Sequence, residues 1–273
     1  MHYRRRAWSA NEGDALVVLK VGGSVLRDGR SIELVSQAVH RHRERGRLVL
    51  IVPSAFYGET DRLLKAARDV LGADPEPFAL AEYLMCGERA AAALIVAGLV
   101  RVGLHAELLD AARAGFLGKG RPSNAEPVSL DSGSVVRAMK ESGIAVLPGF
   151  GAVDDRGRAL LLGRGGSDAS AVFCGIALGA EVRLLKDVDG LYDRDPADSE
   201  IARRYAALSY LDASALGGRV LQDRACNLAA GHGHRFRVES LEDAAEGRER
   251  GTLVGVASSV FDEDAPARCA EVA

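Results

Sequence analysis

Three segments carry the residues best suited to chemistry: Lys20-Val21-Gly22-Gly23-Ser24, Gly163-Arg164-Gly165-Gly166-Ser167-Asp168 and Lys186-Asp187-Val188-Asp189-Gly190. All three follow one design, an apolar run, a tight glycine-bearing turn, then a helix. Backbone N–H groups at such turns bind anions, and glycine lets a phosphate approach the main chain. Taken singly, each is equally well a turn that needs glycine for its geometry. Lys20 points further, because a lysine closing a buried strand is costly unless an anion meets it. Lysine is also scarce: of 35 basic residues only Lys20, Lys65, Lys119, Lys140 and Lys186 are lysines. A compact ammonium is not interchangeable with a guanidinium fork, so each lysine is a distinct choice. None of the turns matches a P-loop, and no Gly-x-Gly-x-x-Gly opens the first helix, which disfavours P-loop kinases and dinucleotide oxidoreductases.

Three more residues have two readings each. Glu88 lies in an apolar helix on a face with Leu84 and Ala92, either as a ligand for a cationic group or as a partnered buried acid. Thr60 is either a ligand or the N-cap of the helix that follows. Arg164, set among small residues, lines a pocket or is a solvated turn residue.

The elements that must position these residues alternate. Leu16 to Val21, Arg47 to Val52, His105 to Leu109, Ile144 to Leu147, Glu181 to Leu185 and Arg235 to Glu239 read as strands. Helical periodicity marks Ser31 to Arg45, Thr60 to Leu71, Phe78 to Val102, Ser132 to Glu141, the stretch opening at Gly163 and ending at Leu178, and two pieces within Leu208 to Ala230. Gly115 to Pro127, rich in Gly, Pro and Asn, reads as a loop or lid. Ala152 to Leu162 reads as a hairpin turning at Asp154-Asp155-Arg156-Gly157. Such alternation predicts an α/β fold, a three-layer αβα sandwich around a central, mainly parallel sheet. The expected organisation is a lead-in over 1–14, a single domain over 15–258 and a loose tail over 259–273. Within the domain, a first lobe covers about 15–165 and a second about 166–258.

Composition sets limits. A net charge of -3 leaves no basic footprint for nucleic acid. The apolar run Ala90 to Val100 is too short to span a membrane and reads as a buried helix. Cys86, Cys174, Cys226 and Cys269 lie far apart with no Cys-x-x-Cys, which fits a reducing, cytoplasmic setting and no zinc site. His232 and His234 read as members of a solvated loop. No signal-peptide-like stretch precedes the first strand, although Arg4-Arg5-Arg6 does.

In combination and order, these segments resemble the amino acid kinase family, and within it the aspartokinases. The resemblance runs from about Leu16 to Val254 and includes Lys20 to Ser24, Ser54-Ala55, Gly58, Thr60-Asp61 and Gly87-Glu88-Arg89. It continues through Ser123-Asn124-Ala125, Pro148-Gly149-Phe150, the stretch from Gly163 to Asp168, Asp187 to Tyr192, Asp195-Pro196, Arg219-Val220-Leu221 and Gly251-Thr252-Leu253. It implies ATP and Mg²⁺ as cofactors, a small amino-acid substrate, a homodimer or higher homo-oligomer, and conversion of L-aspartate to its 4-acyl phosphate. It also implies roles. Lys20 and Asp168 would be catalytic, with Asp168 orienting the cations. Gly22, Gly23, Ser24, Ser54, Ser167, Lys186, Asp187, Tyr192, Arg194, Asp195, Pro196, Arg219 and Val220 would hold the nucleotide. Thr60, Glu88, Arg164, Gly165, Gly166 and Ser167 would hold the amino acid. No protein metal ligand is expected.

The chemistry is coherent at the level of charge. A carboxylate of pKa about 4 is ionised at neutral pH and needs no general base. It needs cations and backbone dipoles to cancel its repulsion with the triphosphate. Departures from the family pattern are Lys186 where Thr is usual, Ala197 where Arg is usual, and Arg219 where Lys is usual. They read either as redistributed phosphate cations or as weakened nucleotide binding. Phe56-Tyr57-Gly58-Glu59 is bulkier than the pattern. No paired ACT regulatory modules follow Gly251-Thr252-Leu253, which predicts a compact, unregulated form. Two alternatives stand beside aspartate: a same-fold kinase for another small acid in specialised metabolism, and a non-catalytic nucleotide-binding subunit.

Overall fold

A computed structural model describes residues 15–72, 75–199, 201–216 and 220–263. The lead-in, Arg219 and most of the expected tail lie outside the described residues. In chain order the elements are β1 (Leu16–Val21), α1 (Gly29–Glu44), β2 (Leu48–Pro53), α2 (Glu59–Leu71), α3 (Pro77–Arg101), β3 (Glu107–Leu108), β4 (Leu117–Arg121) and β5 (Asn124–Ser129). Next come α4 (Ser132–Ser142), β6 (Ile144–Val146), β7 (Gly151–Val153), β8 (Ala159–Leu161), α5 (Gly166–Leu178), β9 (Glu181–Lys186) and β10 (Tyr205–Leu208). Last are α6 (Tyr210–Ala215), α7 (Asp223–His232), β11 (Phe236–Ser240), α8 (Leu241–Glu246), β12 (Thr252–Val254) and β13 (Val260–Phe261).

Nine strands form the main sheet in the order β13-β10-β12-β11-β9-β1-β2-β6-β3. From β3 through β11 every pairing is parallel, and antiparallel pairs enter only at β11–β12 and β10–β13. The central strands are buried on both faces, so they read as unbroken apolar runs. Strand alternation then divides the core. Leu16, Val18, Leu48, Leu50, Val182 and Leu184 face α4, α5 and α7. Val17, Leu19, Val49, Ile51 and Leu185 pack with residues of α1, α3 and α8 on the other side. The expected αβα sandwich is this arrangement.

The lid reading of Gly115 to Pro127 is corrected. Those residues form the hairpin β4–β5, which joins β7 and β8 in a separate four-stranded sheet. Glycines at 118 and 120, the latter at φ 133°, blur the alternation that marks a strand. Close approach still demands them: a Cβ on Gly118 would meet that of Ala152 at 3.1 Å. The hairpin expected over Ala152 to Leu162 is the β7–β8 pair. His232 ends α7 rather than lying in a loop, its Nδ1 3.0 Å from the carbonyl of Leu228.

Helix α3, expected over Phe78 to Val102, has 25 residues and is by length and composition apolar enough to cross a membrane, which the Ala90 to Val100 run alone is too short to do. Its Ala91, Ala92, Ile95 and Leu99 are buried within the chain, and Glu88 is sunk in the same helix. These contacts make it a core helix.

At the N-terminal end of the parallel strands lies a second polar cluster. Arg183 bonds Glu181 at 2.7 Å and Glu239 at 3.2 Å, beside buried His42. Burial, reinforced by Arg183 and Arg47, pushes the His42 imidazole down to about 4.

Candidate active site

Register decides where the lysines point. Lys20 of β1 lies opposite Leu184 of β9, and side chains alternate, so Lys20 continues the row Leu16–Val18 and Lys186 continues the row Val182–Leu184. Both lysines emerge on the α5 face at the C-terminal ends of adjacent strands, where open α/β sheets gather their ligand sites. Asp168, in the first turn of α5, meets both. Its Oδ1 is 2.7 Å from Lys20 Nζ and its Oδ2 is 2.7 Å from Lys186 Nζ. All three side chains are buried. Burial presses the Lys20 ammonium down to about 8, with Asp168 opposing and Lys186 adding to the shift. For Asp168 burial acts upward, yet the Lys186 and Lys20 charges outweigh it and hold the carboxyl at about 2.

Helix α5 can begin where it does because Gly165 adopts φ 74° at its N-cap. Its N-terminal end therefore points at the cleft, a favourable place for negative charge. The neighbouring turns interlock. Gly22 N–H donates to Leu185 O at 3.1 Å, and Ser24 Oγ donates to Asp187 Oδ1 at 3.0 Å. Gly149 is wedged between Val52 and Ser167, each within 3.0 Å of where a Cβ would stand. Ser170 Oγ donates to its carbonyl.

Glu88 reaches the same place from α3. Ser167 Oγ donates to its Oε1 at 2.9 Å and the Phe150 N–H donates to its Oε2. Burial raises this carboxyl to about 7 against the pull of those hydrogen bonds and of Lys20. Glu88 is thus a partnered buried acid that also lines the cleft. Thr60 is not the N-cap of α2, since Gly58 holds that position at φ 75° without a side-chain bond.

The cleft has a volume of about 450 Å³. Lys20, Gly23, Ser54, Thr60, Glu88, Arg164, Gly165, Gly166, Ser167 and Asp168 of the expected site residues line it. Phe56, Tyr57, Asp61, Phe150 and Gly163 also line it and were not assigned roles from sequence. For Phe56 and Tyr57 the unusual bulk of that loop was the available signal. A larger groove of about 820 Å³ between α1 and α3 is mostly apolar, and its lining includes no lysine and none of these turns.

The remaining expected residues that the structure describes lie outside the cleft lining. Gly22 and Lys186 adjoin it through Lys20 and Asp168, and Ser24 and Asp187 bond to each other. Tyr192 Oη donates to Asp189 Oδ1 at 2.8 Å, while Arg204 binds the same aspartate at 3.2 Å. Arg194 is exposed beside Asp193, and Asp195 accepts from Ala197 N–H at 2.9 Å ahead of Pro196. Val220 packs against the core. Among the described residues, no group of three His, Cys, Asp or Glu side chains could hold a metal ion.

A mainly parallel α/β sheet thus carries two ammonium groups and glycine turns at the C-terminal ends of its central strands. Residues 15–240 match the Amino acid kinase family, and the chain belongs to it. The aspartate kinase of Pseudomonas putida is 33% identical over 246 residues, covering 89% of this chain and 59% of that protein. The chain therefore spans little more than half the length of that relative. The aspartate kinase from Synechocystis superimposes with TM-score 0.74 at 28% identity, over 91% of this chain and 42% of its own. Escherichia coli aspartokinase III in complex with aspartate and ADP superimposes with TM-score 0.71 at 23% identity, over 91% of this chain and 65% of its own, and shares the fold.

Proposed function

We propose that this chain transfers the γ-phosphoryl group of MgATP to the side-chain carboxylate of L-aspartate, giving 4-phospho-L-aspartate and ADP. One observation carries the reading: a single cleft holds Lys20 with Asp168 at one place and Thr60, Glu88 and Arg164 around it. The last two match a free amino acid, Glu88 for its ammonium and Arg164 for its α-carboxylate. Aspartate kinases among the relatives, and an aspartate and ADP complex among the structural neighbours, support the same substrate pair.

In this mechanism the substrate carboxylate oxygen attacks the γ-phosphorus while the bond to the β-phosphate oxygen breaks, and ADP leaves. No proton moves. Lys20 meets charge growing on the transferred group, and Asp168 holds the lysine in place. The Gly22-Gly23 turn, its Gly22 N–H held by Leu185 O, lets the phosphates approach the main chain. Mg²⁺ belongs to the nucleotide and neutralises its oxygens. The segment from Lys186 to Pro196, with Val220, supplies the nucleotide side, a role the family pattern also gives Arg219, and residues before Gly166 supply most of the amino-acid side. Free thiols at Cys86, Cys174 and Cys226 fit a reducing, cytoplasmic setting.

The test is acyl-phosphate formation, trapped with hydroxylamine as the hydroxamate, across a panel of amino acids with MgATP. L-Aspartate is expected to give the strongest signal. Good signal with another acid and none with aspartate would move the substrate, while none with any acid would leave a nucleotide-binding subunit.

A further inference from the structure

We infer that Lys186 is a positioning residue of the phosphoryl-transfer site, holding Asp168 from the side opposite Lys20 and giving the trio of Lys20, Asp168 and Lys186 a net positive charge. This rests on the proposed kinase reading. The geometry is specific. One carboxylate uses its two oxygens on two different ammonium groups, each at 2.7 Å. Gly22 sits between the two lysine stems: a Cβ there would stand 3.4 Å from Lys20 Nζ and 3.6 Å from Lys186 Cδ. Register alone brings the stems together, since Lys186 lies two residues beyond Leu184, the partner of Lys20.

Charge counting gives the consequence. Lys20 with Asp168 alone would be neutral, and a neutral pair offers little to a triphosphate. The second ammonium makes the group +1 beside the Gly22 turn, in a setting where burial weakens solvent screening. It also holds Asp168 from both sides, so the carboxylate cannot swing with Lys20 when a phosphate arrives. The charged and titratable groups facing Lys20 are Asp168 on α5, Lys186 on β9 and Glu88 on α3. Of these only Lys186 repels the Lys20 proton.

The experiment uses Lys186→Met, which removes the charge and keeps the length, and Lys186→Arg, which keeps the charge. Two readouts are taken. The first is kcat in the hydroxamate assay, expected to fall about a hundredfold in the methionine variant and to stay within about tenfold in the arginine variant. The second is the pH midpoint for amine-reactive labelling of Lys20, followed by mass spectrometry without substrate. Loss of a like charge is expected to raise that midpoint by about one pH unit in Lys186→Met and to leave it nearly unchanged in Lys186→Arg. A side chain that only filled space beside Asp168 would not move it. An unmoved or lowered midpoint in Lys186→Met overturns the inference, whatever happens to kcat. Lys186→Thr gives the same comparison if methionine disturbs the packing. If the parent protein forms no acyl phosphate with any acid, the kinase reading fails, and the labelling midpoint alone decides the role of Lys186 in the same two directions.

Discussion

Replacing Glu88 by glutamine separates the buried, partnered acid that the fold makes of this residue from the ligand role proposed for it. Its carboxyl is raised from 4.5 to about 7 by burial. Between those pH values the native state binds the proton more tightly than the unfolded chain does. Stability therefore falls as pH rises through this window, by roughly 3 kcal/mol in all, at about 1.36 kcal/mol per pH unit. Glutamine carries no such cost. It can also keep both contacts, its carbonyl accepting from Phe150 N–H and its amide donating to Ser167 Oγ. The Tm of Glu88→Gln should exceed that of the parent by several degrees at pH 8, and the two curves should converge towards pH 4.5. The substrate ammonium loses its charged partner, a contact typically contributing about 1.5–3 kcal/mol, so KM for the amino acid should rise roughly ten- to a hundredfold while KM for ATP holds. Thermal melts from pH 4.5 to 8, paired with initial rates at varied amino acid, measure both. A variant with lower Tm at pH 8 and an unchanged KM would refute the reasoning and make Glu88 a structural acid alone.

Lys20→Met should lower kcat at least about a hundredfold while the protein stays folded, because Asp168 keeps Lys186 as a partner; steady-state rates and a melt check both halves. His42→Leu should act at the opposite end of the sheet. Its imidazole is held down to about 4 against an ordinary 6.5, so the unfolded chain takes up the proton first. The parent then loses stability from this group as pH falls from 6.5 towards 4, and the leucine variant should not. Since Glu88 acts with opposite sign over an overlapping range, the comparison is variant against parent at each pH, by urea unfolding; parallel curves would show that His42 is not the source.

The sheet and its edge were legible because the relevant signals are local. Apolar runs ending in glycine announce a buried strand and a tight turn, and Lys20 before Gly22-Gly23 is conspicuous for its cost. The hairpin β4–β5 was not legible, because Gly118, Gly120 and Pro127 suppress strand periodicity although pairing with β7 and burial of Ala125 require the strand. Thr60 shows the same limit. Its type fits an N-cap, but the start of α2 is set by Gly58 and by how the loop leaves β2.

Residue types and order along the chain determined the family, the alternation of strand and helix, and the identity of most groups around the cleft. Pairing across long sequence distance was decided only in three dimensions. The parallel register of β1 and β9 puts Lys20 and Lys186 on one face, and α5 lays Asp168 between them, 148 and 18 residues away. Glu88 is likewise ambiguous in its helix and acquires its raised pKa only when the fold buries it, against the lowering pull of Ser167 and Phe150. Local propensity cannot encode such contacts, because the charge state of a buried group depends on what the rest of the chain brings to it.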